Sequence, residues 1–187
     1  HSFPSLPFLR QFHRMLYNGI NFILTVSLED KAAFDSFHLT QPVIRVVGDT
    51  RYDQVWQRSR ESKTRQLIAP ELLAGKKVLV IGSSWKEDEE VLLPACLQLF
   101  DTHPQFLILL VPHEPTLENL ERIESALNGS ASSIRFSNLQ DYRGEKIILI
   151  DSIGILMPLY RYAHLAFVGG SFRGGVHNVL EPAAYGI

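Results

Sequence analysis

Asn178 and Glu181 stand three residues apart at the end of a stretch that reads FVGGSFRGGVHNVLE from Phe167 to Glu181. An apolar strand that opens into a glycine-rich turn and then a helix turns backbone N–H groups and the positive helix end towards whatever sits above it, and phosphate is the usual occupant. At i and i+3 on that helix, Asn178 and Glu181 share a face, where the carboxylate is placed to accept hydrogen bonds from sugar hydroxyls. Gly170, Ser171, Arg173 and His177 lie in the same turn and are candidate phosphate or sugar contacts. The pattern points to a nucleotide or nucleotide-sugar site.

Other residues with chemical potential sit at the ends of apolar runs. His113 follows Pro112 at one such end, where it serves either as a phosphate contact or acid–base group or simply as a surface loop histidine. Ser83 and Ser84 lie in the exit Gly82-Ser83-Ser84-Trp85, which lacks the glycines of a dinucleotide fingerprint. There is no P-loop, and Ser171 does not stand in the G-x-S-x-G setting of a nucleophile elbow. None of the seven histidines has a metal-binding spacing with Asp, Glu or Cys, so no metal is expected. The acids Glu87 to Glu90 suit the positive end of a helix dipole better than a cation site.

Positioning these residues requires strands and helices in alternation. Phe12, Met15 and Leu16 close a helix at Asn18-Gly19; Ile20 to Val26 is a strand; Ser27 and Asp30 form a capping box for a helix through Phe37; Val43 to Val47 is a second strand. Gly48 to Arg51 is a strand-end turn, solvated or functional. Residues 53 to 66 are polar and charged, an exposed helix running into a linker, and mark the domain boundary. Beyond it, Lys77 to Ile81, Phe106 to Val111, Ile147 to Ile150 and Leu165 to Val168 are buried strands, with Ile134 to Phe136 a short edge strand. Ser84 and Glu87 are expected to cap a helix with a core face of Leu92, Ala95, Cys96 and Leu99, kinked at Pro94. Thr116 caps another, with Leu120, Ile123 and Leu127 inward, and a short helix follows Asp151 to Gly154. This is an α/β chain with a Rossmann-like parallel sheet flanked by helices, and ligands of such sheets bind where the strands end.

The bulk numbers narrow the class. With 187 residues, 45% hydrophobic and 20% charged, the chain is an ordinary globular protein, and a net charge of −2 gives no electrostatic case for nucleic acid. The single cysteine, Cys96, excludes an internal disulfide. His1 at the start, and an end where a helix would hand over to a strand, suggest a piece of a longer protein. The polar exits and the helix-end carboxylate together describe the nucleotide-sugar half of a two-domain glycosyltransferase.

The ordered motifs resemble those of the bacterial 3-deoxy-D-manno-octulosonic acid (Kdo) transferases, lipopolysaccharide enzymes of the GT-B fold. Gly48 to Asp53 resembles the family's G-N-x-K-F-D, Gly82 to Trp85 with the following acids its G-S-T-H-x-x-E-E, and Val111 to Glu114 its P-R-H loop. Asp151 to Gly154 with Tyr160 is similar to D-T-x-G-E-L-x-x-x-Y. Phe167 to Gly186 is similar to F-V-G-G-S…G-G-H-N-x-L-E-P-A-A-x-G, the most specific match.

The resemblance implies an inverting, metal-independent transferase that moves Kdo from CMP-Kdo to a lipid A precursor, without a cofactor, on the cytoplasmic face of the bacterial inner membrane. It divides the chain into the end of an N-terminal acceptor domain, residues 1–52, and a C-terminal nucleotide-sugar-binding domain, residues 53–187. It places CMP against Pro112 and His113, against Ile153, Gly154 and Ile155, and against Asn178, Val179, Leu180 and Glu181, with Glu181 on the ribose. Two departures stand out: His113 replaces the family arginine, leaving His113 or Arg173 to meet phosphate, and Ile155 replaces a glutamate, leaving backbone contacts. No catalytic residue is expected in this chain, because the family's general base and membrane attachment belong to an upstream region; the chain alone should bind nucleotide weakly and catalyse nothing. The rival readings are a GT-B transferase or epimerase using a UDP-sugar, and a non-catalytic Rossmann-like binding module.

Overall fold

A computed structural model describes residues 7–62 and 64–187. Residues 1–6 and Lys63, in the polar stretch, lie outside the described residues. The chain divides into two compact units between Gln54 and Val55.

In the first unit, helix α1 (Pro7–Asn18) is followed by strand β1 (Phe22–Thr25), helix α2 (Leu28–Asp35) and strand β2 (Val43–Val46). The strands pair in parallel, Ile23 opposite Ile44. Helix α2 begins at the expected capping box: the Asp30 N–H donates to Ser27 Oγ at 3.0 Å, and the Ser27 N–H donates to Asp30 Oδ2 at 3.2 Å. Helix α3 (Thr50–Ser62) then runs across the division between the units.

The second unit is built on five parallel strands. In chain order they are β3 (Lys77–Ser84), β4 (Phe106–Pro112), β5 (Ser133–Arg135), β6 (Ile147–Leu149) and β7 (Leu165–Val168), and in space they lie β5-β6-β4-β3-β7. Short β5 is at the edge, as its sequence suggests. Side chains alternate across a strand, so one sequence feeds two cores. Val78, Val80, Leu107, Leu109 and Ile148 go to one face with Ile68, Leu159 and Tyr160. Leu79, Ile81, Ile108, Leu110 and Ile147 go to the other, under helices α5 (Lys86–Thr102) and α6 (Leu117–Leu127). The first face is covered by α4 (Pro70–Leu73), α7 (Leu156–Leu159) and the 3₁₀ turn Tyr160–Tyr162.

The expectations for α6 hold in full: Thr116 Oγ1 accepts the Asn119 N–H at 3.3 Å, and Leu120, Ile123 and Leu127 are buried. Those for α5 need correction. Strand β3 runs on through Gly82 to Ser84, with a bulge at Ser83, and the helix starts one residue later than expected. Trp85 is its N-cap, and Asp88, not Glu87, takes the Trp85 N–H at 2.9 Å. That register sends Glu89, Leu93 and Cys96 inward, with Leu92 and Leu97 at the flanks, while Ala95 is exposed and Leu99 is 40% exposed. The helix continues through Pro94, which lies on the exposed side.

Candidate functional site

All five strands are parallel, so their exits share one edge of the sheet. The chain order reverses direction at β3, whose neighbours are β4 on one side and β7 on the other. A topological switch of this kind opens a crevice outside the carboxyl ends of the strands. Here it holds a cavity of about 700 Å³. One wall is Ser83, Val168, His177, Asn178 and Glu181; a second is Gly154, Leu156, Met157, Pro158 and Tyr160; the third is Arg58, Glu61, Ser62 and Arg65.

Two close approaches bring β7 to this edge. A Cβ on Gly169 would fall 2.0 Å from the Ser83 carbonyl oxygen, so only glycine lets the β7 exit lie against the β3 bulge. Gly170, at φ +93°, then reverses the chain, and its carbonyl accepts the N–H groups of Arg173 at 3.2 Å, Gly174 at 3.2 Å and Gly175 at 3.0 Å. Ser83 itself is left-handed at φ +52°, a strained conformation that a bulge at a ligand-facing strand end accommodates.

The anion that the glycine-rich turn binds is part of the protein. Asp88, fully buried, accepts the Gly170 N–H at 2.8 Å and the Phe172 N–H at 3.2 Å in addition to that of Trp85. Burial works to raise its pKa, but the amides of Gly170, Trp85 and Phe172 outweigh it and hold the carboxyl below its ordinary value. This corrects two expectations at once. The acids after Trp85 are not mere helix-end solvation, and the turn's amides are largely closed to an external phosphate. Glu89 is buried as well: Ser84 Oγ donates to its Oε1 at 2.8 Å and Arg122 Nη2 to its Oε2 at 2.6 Å. Burial pushes the Glu89 carboxyl up, against the pull of Arg122 and Ser84.

Above the turn sits a stack of flat groups. Trp85 lies 4.1 Å from His113, and His113 4.7 Å from His177, between ring centroids. Trp85 Nε1–H donates to His177 Nε2 at 2.8 Å, and the Arg173 guanidinium lies 3.8 Å over the Trp85 ring. Burial, then His177 and Arg173, pull the His113 pKa below its ordinary value, against Glu114.

The cavity wall around Glu181 differs from the expected helix face. Helix α8 (Leu180–Ala183) has four residues, so His177 and Asn178 precede it rather than ride on it. Asn178 Oδ1 accepts the Leu180 N–H at 3.1 Å, and Asn178 Nδ2 donates to Glu181 Oε1 at 3.3 Å. The two side chains meet through a turn instead of a helical face. Burial raises the Glu181 pKa, with the Asn178 hydrogen bond and the charge of Arg58 opposing it.

Of the residues expected at the site, Ser83, Gly154, His177, Asn178 and Glu181 line the main cavity. Ser84, Pro112 and Arg173 line a smaller one of about 190 Å³ with Arg122. His113 is in the stack; Gly170 and Ser171 form the turn; Ile155 is buried in the core; Ile153 is 86% exposed; Val179 is exposed and Leu180 opens α8. Sequence reasoning missed the third wall. Arg58, Glu61, Ser62 and Arg65 fall at i, i+3, i+4 and i+7, a polar stripe visible in the sequence but attributed to solvent. Among the described residues, no three His, Cys, Asp or Glu side chains are grouped to hold a metal ion.

A parallel sheet with helices on both faces, and a cavity at its switch point, defines a Rossmann-like domain of the kind found in the GT-B fold. The crystal structure of the C-terminal CMP-Kdo binding domain of WaaA from Acinetobacter baumannii superposes with a TM-score of 0.57 at 23% identity, covering 72% of this chain and 68% of that one. The 3-deoxy-D-manno-octulosonic acid transferase of Rickettsia prowazekii (strain Madrid E) is 25% identical over 94% of this chain and 37% of its own length. A probable mitochondrial 3-deoxy-D-manno-octulosonic acid transferase of Arabidopsis thaliana is 29% identical over 97% of this chain and 42% of its own. No protein-family model matches the chain. The chain is thus similar to 3-deoxy-D-manno-octulosonic acid transferases, and it spans about two fifths of the length of these two relatives.

Proposed function

We propose that residues 55–187 are the donor-binding half of a Kdo transferase that takes Kdo from CMP-Kdo and delivers it to a lipid A precursor in lipopolysaccharide synthesis. The observation that carries this reading is the pairing of Asn178 with Glu181 on the wall of a cavity at the sheet's switch point. Asn178 steadies the carboxylate, which is half-buried and keeps acceptor capacity for the two ribose hydroxyls of CMP. The relatives named for this reaction match over nearly the whole chain. Gly154, Leu156 and Met157 supply backbone and apolar surface on the facing wall, suited to a base and sugar.

Transfer is inverting and independent of metal in this reading. The group that activates the acceptor, and the attachment to the cytoplasmic face of the inner membrane, belong to parts of the protein outside these residues. Among the described residues no helix is long and apolar enough to cross a membrane.

The experiment is a calorimetric titration with CMP, UMP and UDP. CMP should bind most tightly, in the weak range expected of one half of a two-domain site, and Glu181→Ala should remove that binding while the circular dichroism spectrum stays unchanged. Tighter binding of UDP than of CMP would refute the assignment.

A further inference from the structure

The amides that would ordinarily receive a phosphate at the β7 exit are occupied. Asp88 takes Gly170 and Phe172, and the Gly170 carbonyl takes the next three. Ser171 and Val176, whose N–H groups bond to none of the described residues, do not line the main cavity. Arg173 is engaged over Trp85. An anionic ligand in the 700 Å³ cavity therefore needs its counter-charge from another wall.

That wall is the stripe on α3 and the turn after it. Arg58, on α3, and Arg65, three residues past its end, both line the cavity. Among the described residues neither guanidinium makes an ion pair, whereas Arg51, Arg122 and Arg135 each hold a carboxylate. Glu61, between them in sequence, accepts from Gln57 Nε2 at 3.0 Å along its own helix. Arg58 and Glu181 line the same cavity, and the charge of Arg58 acts on the Glu181 carboxyl. The cavity thus brings together two guanidinium groups, without ion pairs among the described residues, and a hydrogen-bonded carboxylate.

We propose that Arg58 and Arg65 are the phosphate grip of the site, holding the phosphate of a nucleoside 5′-monophosphate group while Glu181 takes its ribose. This rests on the donor-binding reading above. Guanidinium groups suit the role because they stay charged at any working pH and offer paired donors to two phosphate oxygens. The arrangement favours free CMP, a dianion, over a phosphate ester with one charge. It also explains how this chain dispenses with an arginine after Pro112.

The test is titration of the 187-residue protein with CMP, UMP and cytidine, using Arg58→Ala, Arg65→Ala and the corresponding glutamine variants, each checked by thermal melting. Each substitution should weaken CMP binding roughly tenfold while changing cytidine binding by less than about twofold, with the contribution shrinking in high salt. Unchanged CMP affinity, or a matching loss for cytidine, would overturn the grip. A preference for UMP over CMP would refute the cytidylate donor, while a persistent arginine dependence would still uphold the grip. Absence of binding by any nucleotide would count against both.

Discussion

Asp88 and Gly170, 82 residues apart, are joined by a hydrogen bond of 2.8 Å from the Gly170 N–H to the Asp88 carboxylate. The bond ties the first turn of α5 to the turn after β7, so the two strand exits beside the switch point are held by one buried anion. With Phe172 and Trp85 also donating, the carboxylate organises the loop that carries His177 and leads to Asn178.

Asp88→Asn should therefore destabilise the fold by roughly 2–3 kcal/mol, because the amide offers one neutral oxygen in place of two charged ones and turns its NH2 against at least one of the three N–H groups. Since the folded pKa of Asp88 lies below its unfolded value, its contribution is present above the ordinary carboxylate range and is lost as pH falls through the depressed value. Urea unfolding of wild type and variant between neutral and acidic pH should show curves that converge at the acid end.

Arg122→Ala leaves Glu89 buried without its ion-pair partner and with only the Ser84 hydroxyl donating to it. The expected loss at neutral pH is about 3 kcal/mol. Glu89 is held above its ordinary pKa by burial, so it favours the protonated form in the folded state; removing Arg122 raises it further. The deficit should shrink as pH falls through that raised value and Glu89 takes up a proton. Chemical denaturation at a series of pH values measures it, and a deficit independent of pH would rule out this origin.

Gly169→Ala should cost about 2–3 kcal/mol or prevent folding, since its Cβ meets backbone that cannot move aside. Gly174→Ala is the control, with open space around the added carbon and no left-handed backbone. Thermal melts of the two variants should differ widely.

CMP binding should itself depend on Glu181 ionisation. Burial raises this carboxyl, so affinity should begin to fall at a pH above the ordinary glutamate range as the acceptor is neutralised. Glu181→Gln should bind at least about tenfold more weakly and lose this pH dependence. Calorimetry at several pH values reads both.

Much of the framework was legible in residue order. The apolar runs at Lys77, Phe106, Ile147 and Leu165 became parallel strands because alternating burial on two faces demands nearly continuous hydrophobicity. The capping residues Ser27 and Thr116 were legible because a cap is a local interaction, made within four residues. The cap of α5 was misplaced by one residue, since the bulge at Ser83 depends on the neighbouring strands.

The glycine-rich turn shows where local reading stops. From residue types alone, Phe167 to Glu181 is a strand, a turn rich in amides and a carboxylate, and those parts are present. Sequence also determined the sheet, which follows from short-range pattern, and its ordered motifs carry the resemblance to the Kdo transferases. Which anion the amides receive was decided by tertiary structure, because Asp88 reaches them only when β3 and β7 lie side by side. The same packing brought Arg58 and Arg65, distant in sequence and solvent-like in composition, to the wall of the cavity. Hydrogen bonds and charges act over a few ångströms in space, and no spacing along the chain measures that distance.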